Sequence, residues 1–403
     1  MKTLLMIAWR NVWRNKLRSS IVIASVVLGI WSGLFIMAMV SGMNDQRLSS
    51  FINTNLSHIQ IHNAGFQENF DKKDTIIGSN TLLKEIDTMS HVTAYTKRLV
   101  LQGMASTAHG NYGVKIMGIF PDKEKNVTDI SEKLVQGTYL YKLKRNPIII
   151  GEKLANKLGV KVNSKVVLNF QDSNNNTVST GFRVEGIFKT INSSFDEENV
   201  FVKYDDLAPL VSLSGKYHEI AILCDNITET ETVENQIKTN NSVESWDQLS
   251  PELGYAQEAM SNFIYIFMGI ILLALAFGIV NTMLMAVLER KREIGMLLSV
   301  GMDKRKVFTM IILETLFLAF IAALLGVLLS IWTIEYFGRN GINLSAVAKG
   351  LESLGMGARV FTKLPFAMYV DITLMTLSVA LIAAIIPARR ALKLNPAEAV
   401  KAI

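Results

Sequence analysis

Four apolar runs divide this chain and leave it little freedom in how to fold. A helix needs roughly 20 apolar residues to cross the hydrocarbon core of a bilayer. Residues 19–44 and 259–288 carry no charged side chain, and residues 307–334 carry one acid, Glu314. A fourth run, 372–388, is shorter but follows the apolar stretch 364–370. These runs predict four transmembrane helices in a 1+3 arrangement. The first is longer than the roughly 7–15 residue apolar core of a cleaved signal peptide, so it reads as an uncleaved anchor. A chain that is 50% hydrophobic and 19% charged is not disordered.

Basic residues at the span ends set the orientation. Lys2, Arg10, Arg14, Lys16 and Arg18 precede the first span with no acid among them. Arg290, Lys291, Arg292, Lys304, Arg305 and Lys306 lie between spans two and three, against Glu289, Glu293 and Asp303. Arg389, Arg390, Lys393 and Lys401 follow span four, against Glu398. These three regions hold 15 of the 41 Lys and Arg but only 4 of the 35 Asp and Glu. The formal net charge of +6 is therefore +11 here and −5 elsewhere. Both termini and the short middle loop are expected in the cytoplasm. Residues 45–258 and the loop 335–371 are expected outside the cytoplasmic (inner) membrane, and the tail 389–403 inside it.

The fold class that follows is an α+β integral membrane protein with a large extracytoplasmic domain between spans one and two. Alternation at 58–62, 114–118, 165–170, 182–187 and 219–223 reads as strands, and 81–89, 152–158 and 230–239 as helices. Two subdomains are expected, with 121–200 inserted into a base formed by 45–120 and 201–258. No catalytic constellation is visible. His58, His62, His91, His109 and His218 do not form a metal-ligand spacing, and His58 and His62 read as solvated strand histidines. The single cysteine, Cys224, reads as a small buried hydrophobe and excludes an internal disulfide.

The chain contains no Gly-x4-Gly-Lys-Ser/Thr loop; the stretch 350–357 is glycine-rich but lacks the lysine. Any ATP chemistry must come from another polypeptide. Span two is longer than a bilayer requires and is expected to continue as a helix through Glu289–Gly295. A short helix bracketed by Gly295 and Gly301 offers a mixed charged and apolar docking face. Its basic residues would equally serve to set topology and meet lipid headgroups. Residues 1–18 are amphipathic: Leu5, Trp9, Trp13 and Leu17 repeat every fourth residue, with Arg10, Arg14 and Arg18 one position on. That pattern predicts an interfacial helix that acts as an elbow before span one.

Within the membrane, Gly29-Ile-Trp-Ser-Gly33 permits close helix approach, inside the chain or against a partner. Met37, Met39 and Met43 follow it. Glu314 is expected to pair near the interface with Arg305 or Lys306, and Asn281 to hydrogen-bond within the bundle.

Several segments together resemble FtsX-like/MacB-type ABC-transporter permeases, and within them the lipoprotein-releasing LolC/LolE branch. They are Ala8-Trp-Arg-Asn-Val-Trp-Arg-Asn-Lys16, Ser57-His-Ile-Gln-Ile-His62, Ile150-Gly-Glu-Lys-Leu-Ala155 and Glu289-Arg-Lys-Arg-Glu-Ile-Gly295. Ser299-Val-Gly-Met302, Glu314, Pro387-Ala-Arg-Arg390 and Asn395-Pro396-Ala follow in the same order. The loop 335–371 is long for the MacB type, whereas Arg-Glu-Ile-Gly and Glu314 are shared more with that type than with LolC/LolE.

The resemblance implies a non-catalytic permease that pairs with a second permease, identical or paralogous, and with a cytoplasmic P-loop ATPase dimer that binds ATP and Mg. Residues 289–306 would hold the coupling helix, with Glu289, Arg290, Arg292, Glu293, Ile294, Gly295 and Gly301 at the ATPase contact. In the lipoprotein branch, acyl chains enter between the first spans; Gly29, Ile30, Gly33, Leu34, Met37 and Met39 would line that entry. Membrane lipid, lipoprotein cargo and a periplasmic carrier are the further partners implied; nucleic acid is not. The alternative function is a regulatory module that activates a cell-wall hydrolase, or peptide sensing or efflux of the MacB type.

Overall fold

The computed structural model describes residues 2–14, 16–141, 146–353 and 355–393. Glu398, Lys401 and the 395–397 motif lie outside the described residues. The chain divides into a helical unit (1–43, 258–343 and 359 onward) and an α+β unit (44–257 with 344–358). The expected outer loop 335–371 is thus not one piece, because its middle belongs to the α+β unit.

The helical unit is built on α1 (Lys2–Arg14), α2 (Lys16–Phe51), α3 (Pro251–Glu289), α4 (Lys291–Ser299), α5 (Lys304–Asn340) and α6 (Phe366–Leu392). The division between units falls inside α2 and inside α3. Four of these helices are long and apolar enough to cross a membrane. Each exceeds the 20 or so residues that a bilayer core requires. The core stripe of α2 (Val22, Val26, Ile30, Leu34, Met37) recurs every three to four residues, the spacing of one helix face.

Lipid offers no hydrophobic drive between helices, so close approach through small side chains does that work. On α5, Ala319, Ala322 and Ala323 are buried; on α6, Ala380, Ala383, Ala384 and Ala388 are. Gly326 of α5 lies against Ile30 and the Val27 carbonyl of α2. The Trp31 indole N–H donates to Thr333 at 3.0 Å, which satisfies a polar group that would otherwise be costly in the bundle. α1 packs on α5, with Ala8 and Val12 buried and Trp9 edge-on to Phe317 at 5.5 Å.

The α+β unit carries β1 (Ile59–His62), β2 (Val92–Thr107), β3 (Gly110–Ile119), β4 (Leu134–Gly137), β5 (Pro147–Gly151), β6 (Lys165–Gln171), β7 (Thr177–Phe188), β8 (Asn199–Lys203), β9 (Glu219–Cys224) and β10 (Ser242–Ser245). The strand order is β10-β1-β9-β2-β3-β8-β5-β7-β4, with β6 paired to β2 and β7. β2 is the common member. Its first half pairs with β9 through Arg98, and its second half pairs with β3 and β6.

Three apolar clusters fill the unit, one of them Met117, Ile119, Ile149, Phe188 and Phe201, and the handover separates the other two. Ile59, Ile61, Ile86, Ile220, Ile222 and Cys224 fill the base. The other runs from Leu99 through Phe182 to Leu213. The inserted subdomain is therefore wider than 121–200 and begins near residue 99. One continuous strand serves both cores, so no turn marks the boundary.

Candidate coupling site

The link between α3 and α4 is a kink and not the continuous helix expected. Arg290 leaves the helical region (φ −97°, ψ 18°), although backbone bonds from Arg290 to Ala286 and from Ile294 to Arg290 span the break. Its side chain explains the position. The guanidinium Nη1 donates to both carboxylate oxygens of Glu314 at 2.9 and 3.0 Å, and Nε donates to Glu293 at 3.1 Å. Glu314 thus pairs with Arg290, not with Arg305 or Lys306, which are exposed.

Glu293 accepts a second hydrogen bond, from Arg14 of α1. Burial opposes ionisation of Glu293, but the bonds from Arg14 and Arg290 outweigh it and hold the carboxyl below its ordinary range. The four side chains form an alternating line of charge across α1, α4, the kink and α5. It borders a polar cavity of about 250 Å3 that Asn11, Ser19 and Glu289 also line.

α4 runs from Lys291 to Ser299, so Gly295 lies in its middle and does not bracket it. Gly295 and Ile294 are buried, which makes them the packing face. Arg292, Met296, Ser299 and Val300 face outward; Val300 is 84% exposed. Gly301 adopts φ +92°, a conformation only glycine takes without strain. There the Gly301 N–H bonds the Leu298 carbonyl and the Met302 N–H bonds the Leu297 carbonyl, closing the helix with a Schellman turn. Asp303 then caps α5 by accepting from the Arg305 N–H at 3.0 Å. The result is a short, doubly fastened helix whose outward face joins two apolar side chains to exposed Lys304, Arg305 and Lys306.

The residues expected to line an acyl entry lie elsewhere. Ile30, Leu34 and Met37 are buried in the bundle core, and Met39 is half-buried. Gly29 and Gly33 face Leu275 and Ile271 of α3, so this close approach is made within the chain. The exposed apolar face of α2 is instead Ile21, Leu28 and Ile36. Asn281 is exposed on α3 and does not point into the bundle.

The α+β unit holds a second charged cluster that sequence reasoning missed. Arg98, Glu124 and Glu219 are almost wholly buried. Arg98 donates to both acids and to the Asn55 carbonyl, tying the turn that ends α2 to β2 and β9. Burial alone would raise the Glu219 carboxyl, but the Arg98 charge overrides it and holds it well below the ordinary range. His58 and His62 are buried as well, so they are not solvated. His58 accepts from the Cys224 N–H at 2.9 Å, and burial lowers its pKa. His62 sits 3.5 Å from Glu219 and 3.4 Å from Glu244. Burial pulls its pKa down, yet the two acids outweigh it and leave it raised. Alternation placed these side chains on one strand face without revealing that the face is covered.

A model of the FtsX-like permease C-terminal region matches residues 265–396, and one of the MacB-like periplasmic core domain matches residues 19–240. The chain is an ABC-transporter permease of the FtsX/MacB type. It is 23% identical to an uncharacterized ABC transporter permease of Methanocaldococcus jannaschii, over 98% of this chain and 96% of that one. It is 23% identical to the lipoprotein-releasing system transmembrane protein LolC of Neisseria meningitidis, over 94% and 92%. Against the macrolide export ATP-binding/permease protein MacB of Campylobacter jejuni it is 22% identical, over 98% of this chain and 60% of that one. Among solved structures, the periplasmic region of MacB from Actinobacillus actinomycetemcomitans aligns with 52% of the chain and 97% of that region, at 13% identity and a TM-score of 0.36. A permease of this type with four apolar helices is a multi-pass membrane protein, and its kinked α3–α4 junction lies within the FtsX-like match.

Proposed function

We propose that this permease couples ATP hydrolysis by a separate P-loop ATPase dimer to movement of its own α+β unit. The observation that carries the reading is α4: a short helix fastened at both ends, its charged and apolar face outward, in a segment rich in Lys and Arg. A mixed face of that kind suits a protein interface. ATP and Mg belong to the partner; this chain supplies no catalytic residue to the reading. Two permeases, identical or paralogous, complete the assembly in the inner membrane, with both termini in the cytoplasm.

The cargo reading is a lipoprotein or other amphiphile extracted from the membrane and passed to a periplasmic carrier. Its support is the LolC relative, aligned over nearly the whole chain and named for lipoprotein release. The second reading, a regulatory or MacB-type efflux role, draws on the MacB-like match over residues 19–240.

Two measurements test these readings. Met296→Asp with Val300→Asp places charge on exposed positions and should abolish co-purification of the ATPase, while the permease remains folded in detergent. Undiminished co-purification would overturn α4 as the docking face. Mass spectrometry of what co-purifies with the full chain decides the cargo: acylated protein supports extraction, and its absence beside a bound peptide or hydrolase supports the second reading.

A further inference from the structure

The docking helix is joined to the spans by a bend, and a bend transmits force poorly. At Arg290 the backbone departs from helical geometry, so α3 and α4 do not form one rod. A push on α4 would be absorbed there unless side chains carried it across. Ion pairs join α4 and its kink to α5 and to α1. Arg290 grips both oxygens of Glu314, with side chains 17% and 10% exposed. Glu293 holds Arg14, in a pair about half exposed. Glu293 also accepts from Arg290, which makes the two pairs one line.

The geometry points to Arg14, Arg290 and Glu314 as positioning residues that deliver movement of the coupling helix into α1 and α5, so that span one is driven through its elbow as well as through the α+β unit. This rests on the coupling reading of α4. One guanidinium nitrogen reaching both carboxylate oxygens sets the Arg290–Glu314 distance, and a charge-assisted bond of this kind is stronger than a neutral one. The adjoining cavity of about 250 Å3 has a mainly polar lining and could hold several waters. Water within reach lowers the cost of parting a buried ion pair, so the line can re-seat during a cycle without stranding a bare charge. Arg14 is a suitable outlet: α1 is packed on α5 through Trp9 against Phe317, and α2 is the next helix in the chain.

The test uses the full chain in nanodiscs, with the ATPase that co-purifies with it. Hydrogen exchange is compared before and after trapping with ATP and vanadate. In the wild type, trapping should alter exchange in α4, α1 and α5. Arg14→Ala, at a half-exposed position, should keep the α4 response and lose the α1 response, and Arg14→Lys should restore it. Glu314→Gln should lose the α5 response, with Glu314→Asp retaining part of it. An Arg14→Ala permease whose α1 responds like the wild type overturns this inference and leaves the docking reading intact. A wild-type α4 that does not respond to trapping overturns the coupling reading and the inference together.

Discussion

At the residue scale, the most instructive side chain is His62. It lies in the base of the α+β unit between Glu219 of β9 and Glu244 of β10, stacked on Phe66 at 5.8 Å. Its folded pKa is raised above 6.5, so the folded state holds the proton more tightly than the unfolded chain does. The stabilisation is therefore fully present below pH 6.5 and is lost as pH rises through the folded value. His58 and His218 act in the opposite sense. Their lowered pKa values mean that the unfolded chain gains protons first, which costs stability as pH falls below 6.5. The difference between wild type and His62→Gln isolates the first effect. The native thiol supplies the readout, since Cys224 is the only cysteine and is buried in the same core as Ile59, Ile61 and Ile222. Opening of that core exposes it, and pulsed maleimide labelling of the full chain measures the opening. His62→Gln should speed labelling relative to wild type at pH 5.5, and the gap should close by pH 8.5. An equal gap at both values would remove the ion pair from the account.

At the element scale, the spans were legible and their junctions were not. A transmembrane helix is announced by local length and apolarity, which any window of sequence displays. The kink at Arg290 depends on Glu314, 24 residues further along, and no local pattern reports that partner. The breadth of the inserted subdomain was hidden for a similar reason, because β2 crosses from one core to the other without a turn. Close helix contacts show the same limit. Gly29 and Gly33 stand out by spacing, yet what a Cβ at Gly29 would meet is the end of Leu275, a side chain able to move. Gly42 has no glycine at that spacing, but a Cβ there would lie 1.9 Å from the Phe361 carbonyl oxygen. That carbonyl is held in place, since the Lys363 N–H bonds the Ala38 carbonyl and the Thr362 hydroxyl bonds the Ile334 carbonyl. Overpacking a site that cannot yield typically costs about 1–3 kcal/mol. Gly42→Ala should therefore lower the thermal midpoint of the detergent-solubilised permease clearly, and Gly29→Ala should lower it less. The reverse order would mean that the small-residue motif, not the backbone contact, governs packing of α2.

At the scale of the whole molecule, the question is which side of the membrane each unit occupies. Apolarity locates the spans but is blind to direction; charge is not, because basic residues near span ends are retained on the cytoplasmic side. The asymmetry is steep: 15 basic and 4 acidic residues lie in the three regions assigned to the cytoplasm, against 26 and 31 elsewhere. The docking reading depends on this, since α4 must face the compartment that holds ATP. With Cys224 replaced by Ala, single cysteines report the sidedness directly. Asn174 and Ser299 are both exposed, one in the turn between β6 and β7 and the other at the end of α4. In spheroplasts, a membrane-impermeant maleimide should label Asn174→Cys at once and reach Ser299→Cys only after the membrane is permeabilised. Labelling of Ser299→Cys in sealed spheroplasts would place α4 outside. The exposed Met296 and Val300 would then need a partner other than an ATPase, and the line of charge from Arg14 to Glu314 would lose the motion it is built to carry.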